Sequence, residues 1–213
     1  MPVHRFSSEQ RKLPRRFLSL HHFSETTLEM ARLNSMFHRL SLRTNHQLTR
    51  EDFRDFLSIL FDLNDQTILE RLFLLLGQGE KSFSCKEFLS IIHLFLFASY
   101  DEQMKFIFRI YDLSADGNLQ REELFTFLRK DFPSQNDNED TEMILHEFIT
   151  LILKKFDKDQ DGVISFDDYS RTCQENPTLM ECFGRLFPSF FRKQVIQTIL
   201  NGNVPLVEKT DWK

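Results

Sequence analysis

The chain has 213 residues, with 27 Lys+Arg against 32 Asp+Glu for a net charge of −5, and its length allows one or two domains with a buried core. Ordinary hydrophobic and charged fractions, 41% and 28%, exclude general disorder, and the acidic balance disfavours a nucleic-acid binder. Phe is abundant at 24 residues while Gly and Pro number 6 each, so few breakers and many large rings point to an all-α protein with an aromatic core.

Residues 1–28 form a basic N-terminal arm, with Arg5, Arg11, Lys12, Arg15 and Arg16 against Glu9. They contain no apolar run of the secretory type; a mitochondrial presequence is the alternative to a disordered arm. Pro2 excludes N-myristoylation at that position. Residues 29–98 read as an N-lobe of two helix-loop-helix units. Leu33, Met36, Phe37 and Leu40 lead into a window from Ser41 to Asp52, and Phe53, Phe56, Leu57 and Leu60 follow. Ile68, Leu72 and Leu75 lead into a second window, Leu76 to Glu87, followed by Phe88, Ile91, Ile92 and Phe95. This i, i+3, i+4, i+7 spacing marks amphipathic helices.

Residues 99–176 read as a C-lobe built on the same frame. Met104, Ile107, Phe108 and Tyr111 precede the window Asp112 to Glu123, with Leu124, Phe127 and Leu128 after it. Ile149, Ile152, Leu153 and Phe156 precede the window Asp157 to Asp168, with Tyr169 and Cys173 after it. Both windows place oxygen side chains at positions 1, 3 and 5, Gly at 6, an apolar residue at 8 and an acid at 12. That is the EF-hand calcium loop: a hard cation takes six to eight oxygens from alternate residues of a tight turn, and Gly permits the bend. The expected metal ligands are Asp112, Ser114, Asp116, the Asn118 carbonyl and Glu123 in one loop, with Gln120 acting through water. In the other they are Asp157, Asp159, Asp161, the Val163 carbonyl and Asp168. Asp168 is one methylene shorter than Glu, which shifts that loop toward weaker Ca²⁺ binding or Mg²⁺.

The two upstream loops keep their helices and lose their ligands: Arg43 and His46 stand at positions 3 and 6 of one, and Leu76 opens the other. Loop starts at 41, 76, 112 and 157 are spaced by 35, 36 and 45 residues. Because EF-hands pair through their position-8 residues, Leu48 should face Phe83 and Leu119 should face Ile164. The longer gap is accounted for by a polar, acidic connector from Phe132 to Thr141. Residues 177–213 form C-terminal helices and a tail. Helical patterns at about Thr178 to Leu186 and Ser189 to Leu200 either pack permanently on the C-lobe or cap its groove.

Cys85, Cys173 and Cys182 follow no metal or disulfide spacing and read as free thiols of a reducing compartment. No apolar run is long enough for a membrane span. His21-His22 lacks further ligands, and no phosphate loop or nucleophile motif is present, so the protein reads as a non-enzyme. With 6 Met against 24 Phe, its output surface is stiffer than a promiscuous Met-rich groove and suits a dedicated protein partner.

One run is more specific. Leu94-Phe-Leu-Phe-Ala-Ser-Tyr-Asp-Glu-Gln-Met-Lys-Phe106, then Leu153 to Tyr169, then Pro177-Thr-Leu-Met-Glu-Cys-Phe-Gly-Arg-Leu-Phe-Pro188 resemble the calaxin family, calcium sensors of the outer dynein arms of cilia and flagella. The resemblance covers roughly residues 30–188. It implies an axonemal, cytoskeletal protein that contacts dynein-arm or docking-complex subunits on doublet microtubules and modulates ciliary, flagellar or sperm motility with calcium. In that family the second hand is calcium-competent, whereas Leu76 to Glu87 is not, which implies a fixed N-lobe. The rival readings are a calcineurin B-like regulatory subunit clasping a helix of a phosphatase, kinase or transporter, and a structural axonemal clip with little calcium response.

Overall fold

The computed structural model describes residues 28–42, 47–77, 82–132 and 139–201. The basic arm with His21-His22, Arg43 and His46, residues 133–138 of the acidic connector and the tail beyond 201 lie outside the described residues. Helices alternate with two-residue strands in the order α1 (Leu28–Ser41), β1 (Leu48–Thr49), α2 (Arg50–Phe61), α3 (Gln66–Gly77), β2 (Ser82–Phe83), α4 (Cys85–Phe97), α5 (Tyr100–Tyr111), β3 (Asn118–Leu119), α6 (Arg121–Leu128), α7 (Glu139–Phe156), β4 (Ile164–Ser165), α8 (Phe166–Glu175) and α9 (Phe190–Leu200). This is the all-α EF-hand fold. Among the described residues no helix is long and apolar enough to cross a membrane.

The strands form two antiparallel pairs, with Leu48 opposite Phe83 and Leu119 opposite Ile164. That is the register the position-8 spacing predicts, and all four side chains are fully buried at 0% exposure. Local hydrogen bonding starts the helices that leave the loops. Thr49, Ser84 and Ser165 cap α2, α4 and α8, each accepting from the backbone of an acid three residues on, Asp52, Glu87 and Asp168. Glu87 and Asp168 also accept from the cap residue's own N–H, completing capping boxes.

The residues divide into two units. The first draws its described residues from 28–64, 76–98 and 187–201. Its core is aromatic: Phe53 lies 5.0 Å from Phe83, Phe56 5.1 Å from Phe88, and Phe61 5.1 Å from Phe95, by ring centroids. Such edge-to-face and tilted pairs add to simple apolar burial. α9 belongs here, packing on α1, α2 and α4, which corrects the placement of both C-terminal segments on the C-lobe. Its partner is fixed by polar contacts that apolar patterning does not report. Gln197 Nε2 donates to the Leu96 carbonyl at 2.9 Å, Arg192 Nη1 to that of Ile59 at 2.9 Å, and Arg32 Nη1 to that of Ile199 at 2.6 Å. Both arginines meet carbonyls near helix C-termini, where cations are favoured. Ile196 and Leu200 are buried, whereas Phe190 and Phe191 are 75% exposed and so are not the core residues their apolarity suggests.

The second unit draws its described residues from 65–75 and 99–186. α5 to α8 surround Tyr111, Phe127, Phe156 and Tyr169, all essentially inaccessible. The stretch expected to be helical from Thr178 to Leu186 is instead a 3-10 turn, Pro177–Glu181, followed by a turn at 182–183 and irregular chain. The reason is Gly184: its φ is +152°, and a Cβ there would meet Ile68 Cδ1 of α3 at 3.0 Å. No α-helix accommodates that angle, and the side-chain-free position lets the chain pass α3 closely. Phe183 is thereby turned inward, 5.0 Å from Tyr111 and 5.5 Å from Phe156, and the Tyr111 hydroxyl donates to the Gly184 carbonyl at 2.8 Å. The acidic connector is shorter than its composition suggests, since α7 begins at Glu139; acidic residues suit a helix's first turn as well as a linker.

α3 is tied within this unit at its start and at its middle. Asp65 Oδ1 accepts from the N–H groups of Thr67 and Ile68 at 3.0 and 3.2 Å, while its Oδ2 meets Lys130 Nζ. At its middle, Arg71 donates to the carbonyl of Asp112.

Phe183→Ala should lower stability by about 3–5 kcal/mol, the usual cost of a buried Phe, while Phe190→Ala should change it by less than about 0.5 kcal/mol as a surface substitution. Urea denaturation followed by circular dichroism would show the contrast; equal effects would contradict the assigned burial.

Candidate metal centre

Both acidic loops adopt one backbone template. Position 4 is left-handed in each, at Ala115 (φ 58°) and Gln160 (φ 64°), and position 6 has positive φ at Gly117 (90°) and Gly162 (91°). Nothing lies within 4 Å of a Cβ built at either glycine, so glycine is needed there for its backbone angle alone.

In the Asp112–Glu123 loop the carboxylates turn inward and accept from the loop's own N–H groups. The two oxygens of Asp112 accept from Asp116 and Gly117 at 3.2 and 3.0 Å. Glu123 spans the loop, Oε1 accepting from Ser114 N at 2.7 Å and Oε2 from Gln120 N at 2.8 Å. Asp112 and Glu123 are each only 6% exposed. Burial raises the Glu123 carboxyl above its ordinary range, against the opposing pull of the Gln120 and Ser114 N–H groups. Buried carboxylates with oxygens to spare suit a hard cation.

The Asp157–Asp168 loop repeats the pattern with a shorter reach. Asp157 accepts from Gln160, Asp161 and Gly162, at 2.7, 3.2 and 3.0 Å. Asp168 accepts from Ser165 N at 3.1 Å, but its other oxygen reaches only Lys158 N, at 3.3 Å. One carboxylate oxygen each from Asp157, Asp159 and Asp161 lie within 4.8 Å of one another. That span is about twice a Ca–O distance of 2.3–2.6 Å, so three ligands could meet one ion. Asp168 stays outside this triad, bound to Ser165. The oxygens of Asp112, Asp116 and Glu123 do not gather to the same span.

Similarity to known proteins agrees with the loop geometry. The EF-hand domain pair family matches residues 101–174, which contains both loops. Calaxin of Xenopus laevis is 32% identical over 173 residues, covering 78% of this chain and 82% of that protein. The chain belongs to the calaxin family. It is accordingly a calcium-binding EF-hand protein. At greater distance, the B-type calcineurin subunit of Naegleria gruberi is 27% identical over 69% of this chain and 80% of that protein. A solved chain titled as a PP2A PR70 holoenzyme superposes with a TM-score of 0.52 at 20% identity, covering 73% of this chain and 57% of that one, a likeness of fold alone.

Two features of this calaxin-family site go beyond the sequence reading. Gln120 donates from Nε2 to Asp116 Oδ2 at 2.7 Å, so it orients a carboxylate. Arg71, some forty residues upstream, donates to the Asp112 carbonyl. Its only sequence signal is a charge that, with the adjacent Glu70, interrupts the apolar run of Ile68, Leu69, Leu72 and Phe73. The cysteines are all free, and burial pushes the Cys173 thiol up to about 11, away from reactivity.

Protons and calcium compete for Glu123. Its raised carboxyl means that calcium affinity at this loop should begin to fall at a higher pH than an ordinary glutamate, near 4.3, would allow. Calorimetry over a pH series should show this fall in the native chain, and Glu123→Gln should abolish binding at that loop and the dependence with it. Asp168→Glu should tighten calcium binding at the second loop by restoring reach; unchanged calorimetric affinity and Ca/Mg selectivity would refute the role given to chain length.

Proposed function

We propose that this protein is a non-catalytic calcium sensor of the axoneme, in the cytoskeleton of cilia or flagella. In this reading its acidic loops report calcium to dynein-arm or docking-complex subunits and thereby adjust motility. The observation that carries it is the 32% identity to calaxin over most of both chains. The ligands are those named above, from Asp112 to Glu123 and from Asp157 to Asp168. Calcium supplies charge neutralisation for the inward carboxylates; the protein's own residues set how many oxygens converge and how rigidly. The 3.3 Å reach of Asp168 supports a second site that is weaker for calcium and more tolerant of Mg²⁺.

A second reading, a regulatory subunit of the calcineurin B type, is favoured by the Naegleria gruberi relative. The two separate by fractionation. The axonemal reading expects the protein in demembranated axonemes and capture of dynein-arm components from ciliated cells or sperm, with recovery that differs between calcium and chelator. Recovery of a phosphatase or kinase from the soluble fraction would replace it with the second reading.

A further inference from the structure

The first acidic loop has a buried cation beside it. Arg71 of α3 is 8% exposed, and its Nη2 donates to the carbonyl of Asp112 and, at 3.4 Å, to that of Arg109. Its Nε is buried without a partner among the described residues. Burial lowers the Arg71 pKa, whereas the Asp112 and Glu123 carboxylates raise it and Arg109 lowers it further. Arginine nonetheless keeps its charge in proteins, so a fixed positive group shares the surroundings of two carboxylates expected to receive metal.

We propose that Arg71 is a resident counter-cation of the Asp112–Glu123 loop: it holds α3 against the loop, lowers the loop's calcium affinity and is loosened when calcium binds. The inference rests on reading that loop as a calcium site. The guanidinium binds a backbone carbonyl at loop position 1, where the expected metal donor is the side chain, so it acts through charge rather than by occupying the donor set. A divalent ion placed among the same carboxylates meets like charge across a poorly screened interior. Without the ion, Arg71 offsets both Asp112 and Glu123, and Arg109 adds a second positive charge near Asp112. Linkage makes the antagonism reciprocal: whatever factor Arg71 takes from calcium affinity, calcium takes from the docking of α3.

The fold confines the consequence. Asp65 with Lys130, and Ile68 against Gly184, secure the start of α3 without touching the loop. The rest of α3 stays packed, with Leu72 and Phe73 at 0% and 2% exposure, so the response is confined to the contact that Arg71 itself makes.

The test uses the full chain. Calorimetry of Arg71→Met should show calcium binding at the first loop tighter by roughly tenfold, as removal of a nearby like charge requires. Arg71→Lys, which keeps the charge, should stay near the native value, and the second loop should serve as an unchanged internal reference. Amide exchange of the native chain should be faster at residues 69–75 in calcium than in chelator, a difference that Glu123→Gln abolishes. Unchanged or weaker calcium binding by folded Arg71→Met overturns the proposal. If that variant does not fold, equal or greater protection of residues 69–75 in the calcium-loaded native chain overturns it alone. A native chain that takes up no calcium at this loop removes the metal reading itself, and this inference with it.

Discussion

The antiparallel contact between position-8 residues is the constraint on which both units rest. A ladder of two residues has no stability of its own, so it exists here because Leu48, Phe83, Leu119 and Ile164 are sealed in the cores, at 0% exposure. Each bridge fixes two loops back to back and thereby fixes where the flanking helices start. None of this needs metal. The upstream pair forms its bridge with Leu48 opposite Phe83 although its loops have lost ligands, because apolar burial by Phe53, Phe56 and Phe88 holds it.

The acid at position 12 has two separable jobs, and the four loops show them apart. It caps the departing helix by bonding to position 9: Thr49 with Asp52, Ser84 with Glu87, Gln120 with Glu123, Ser165 with Asp168. In the acidic loops it also reaches across, Glu123 to Ser114 and Asp168 to Lys158. The degenerate loops retain the capping acid, Asp52 and Glu87, which bonds back to the N-cap residue at the helix start. Survival of an acid at position 12 is therefore weak evidence of metal binding, and the carboxylates at positions 1, 3 and 5 discriminate better.

How far the sequence reveals this structure follows from which interactions are periodic. Helix faces, loop lengths and the position-8 register recur every 35 to 45 residues and are legible, as are the inward carboxylates. The placement of α9 is not, because it depends on Gln197, Arg192 and Arg32 finding particular carbonyls across more than a hundred residues. Gly184 is readable as part of a motif but not as a helix stop, since its requirement arises from Ile68, distant in sequence. Arg71 escapes for the same reason: the adjacent charges Glu70 and Arg71 suggest an exposed edge until the partner of Arg71 is known.

The two acidic loops therefore present calcium with different electrostatic problems. In the first, Glu123 has the length to cross the loop and is already aligned by two N–H donors, so little side-chain ordering remains on binding. Against that stand the burial that raises its pKa and the positive charge of Arg71. In the second, three aspartate oxygens are crowded within 4.8 Å, and Asp159 and Asp161 are exposed. There water screens the mutual repulsion that a cation would relieve, so each unit of charge matters less in either direction. Preorganisation opposed by a buried cation, and crowding softened by solvent, are distinct balances of the same forces. With Arg71 acting as proposed, the first loop's response is coupled to α3, whereas in the second the shorter acid Asp168 limits how far its carboxylate reaches across the loop.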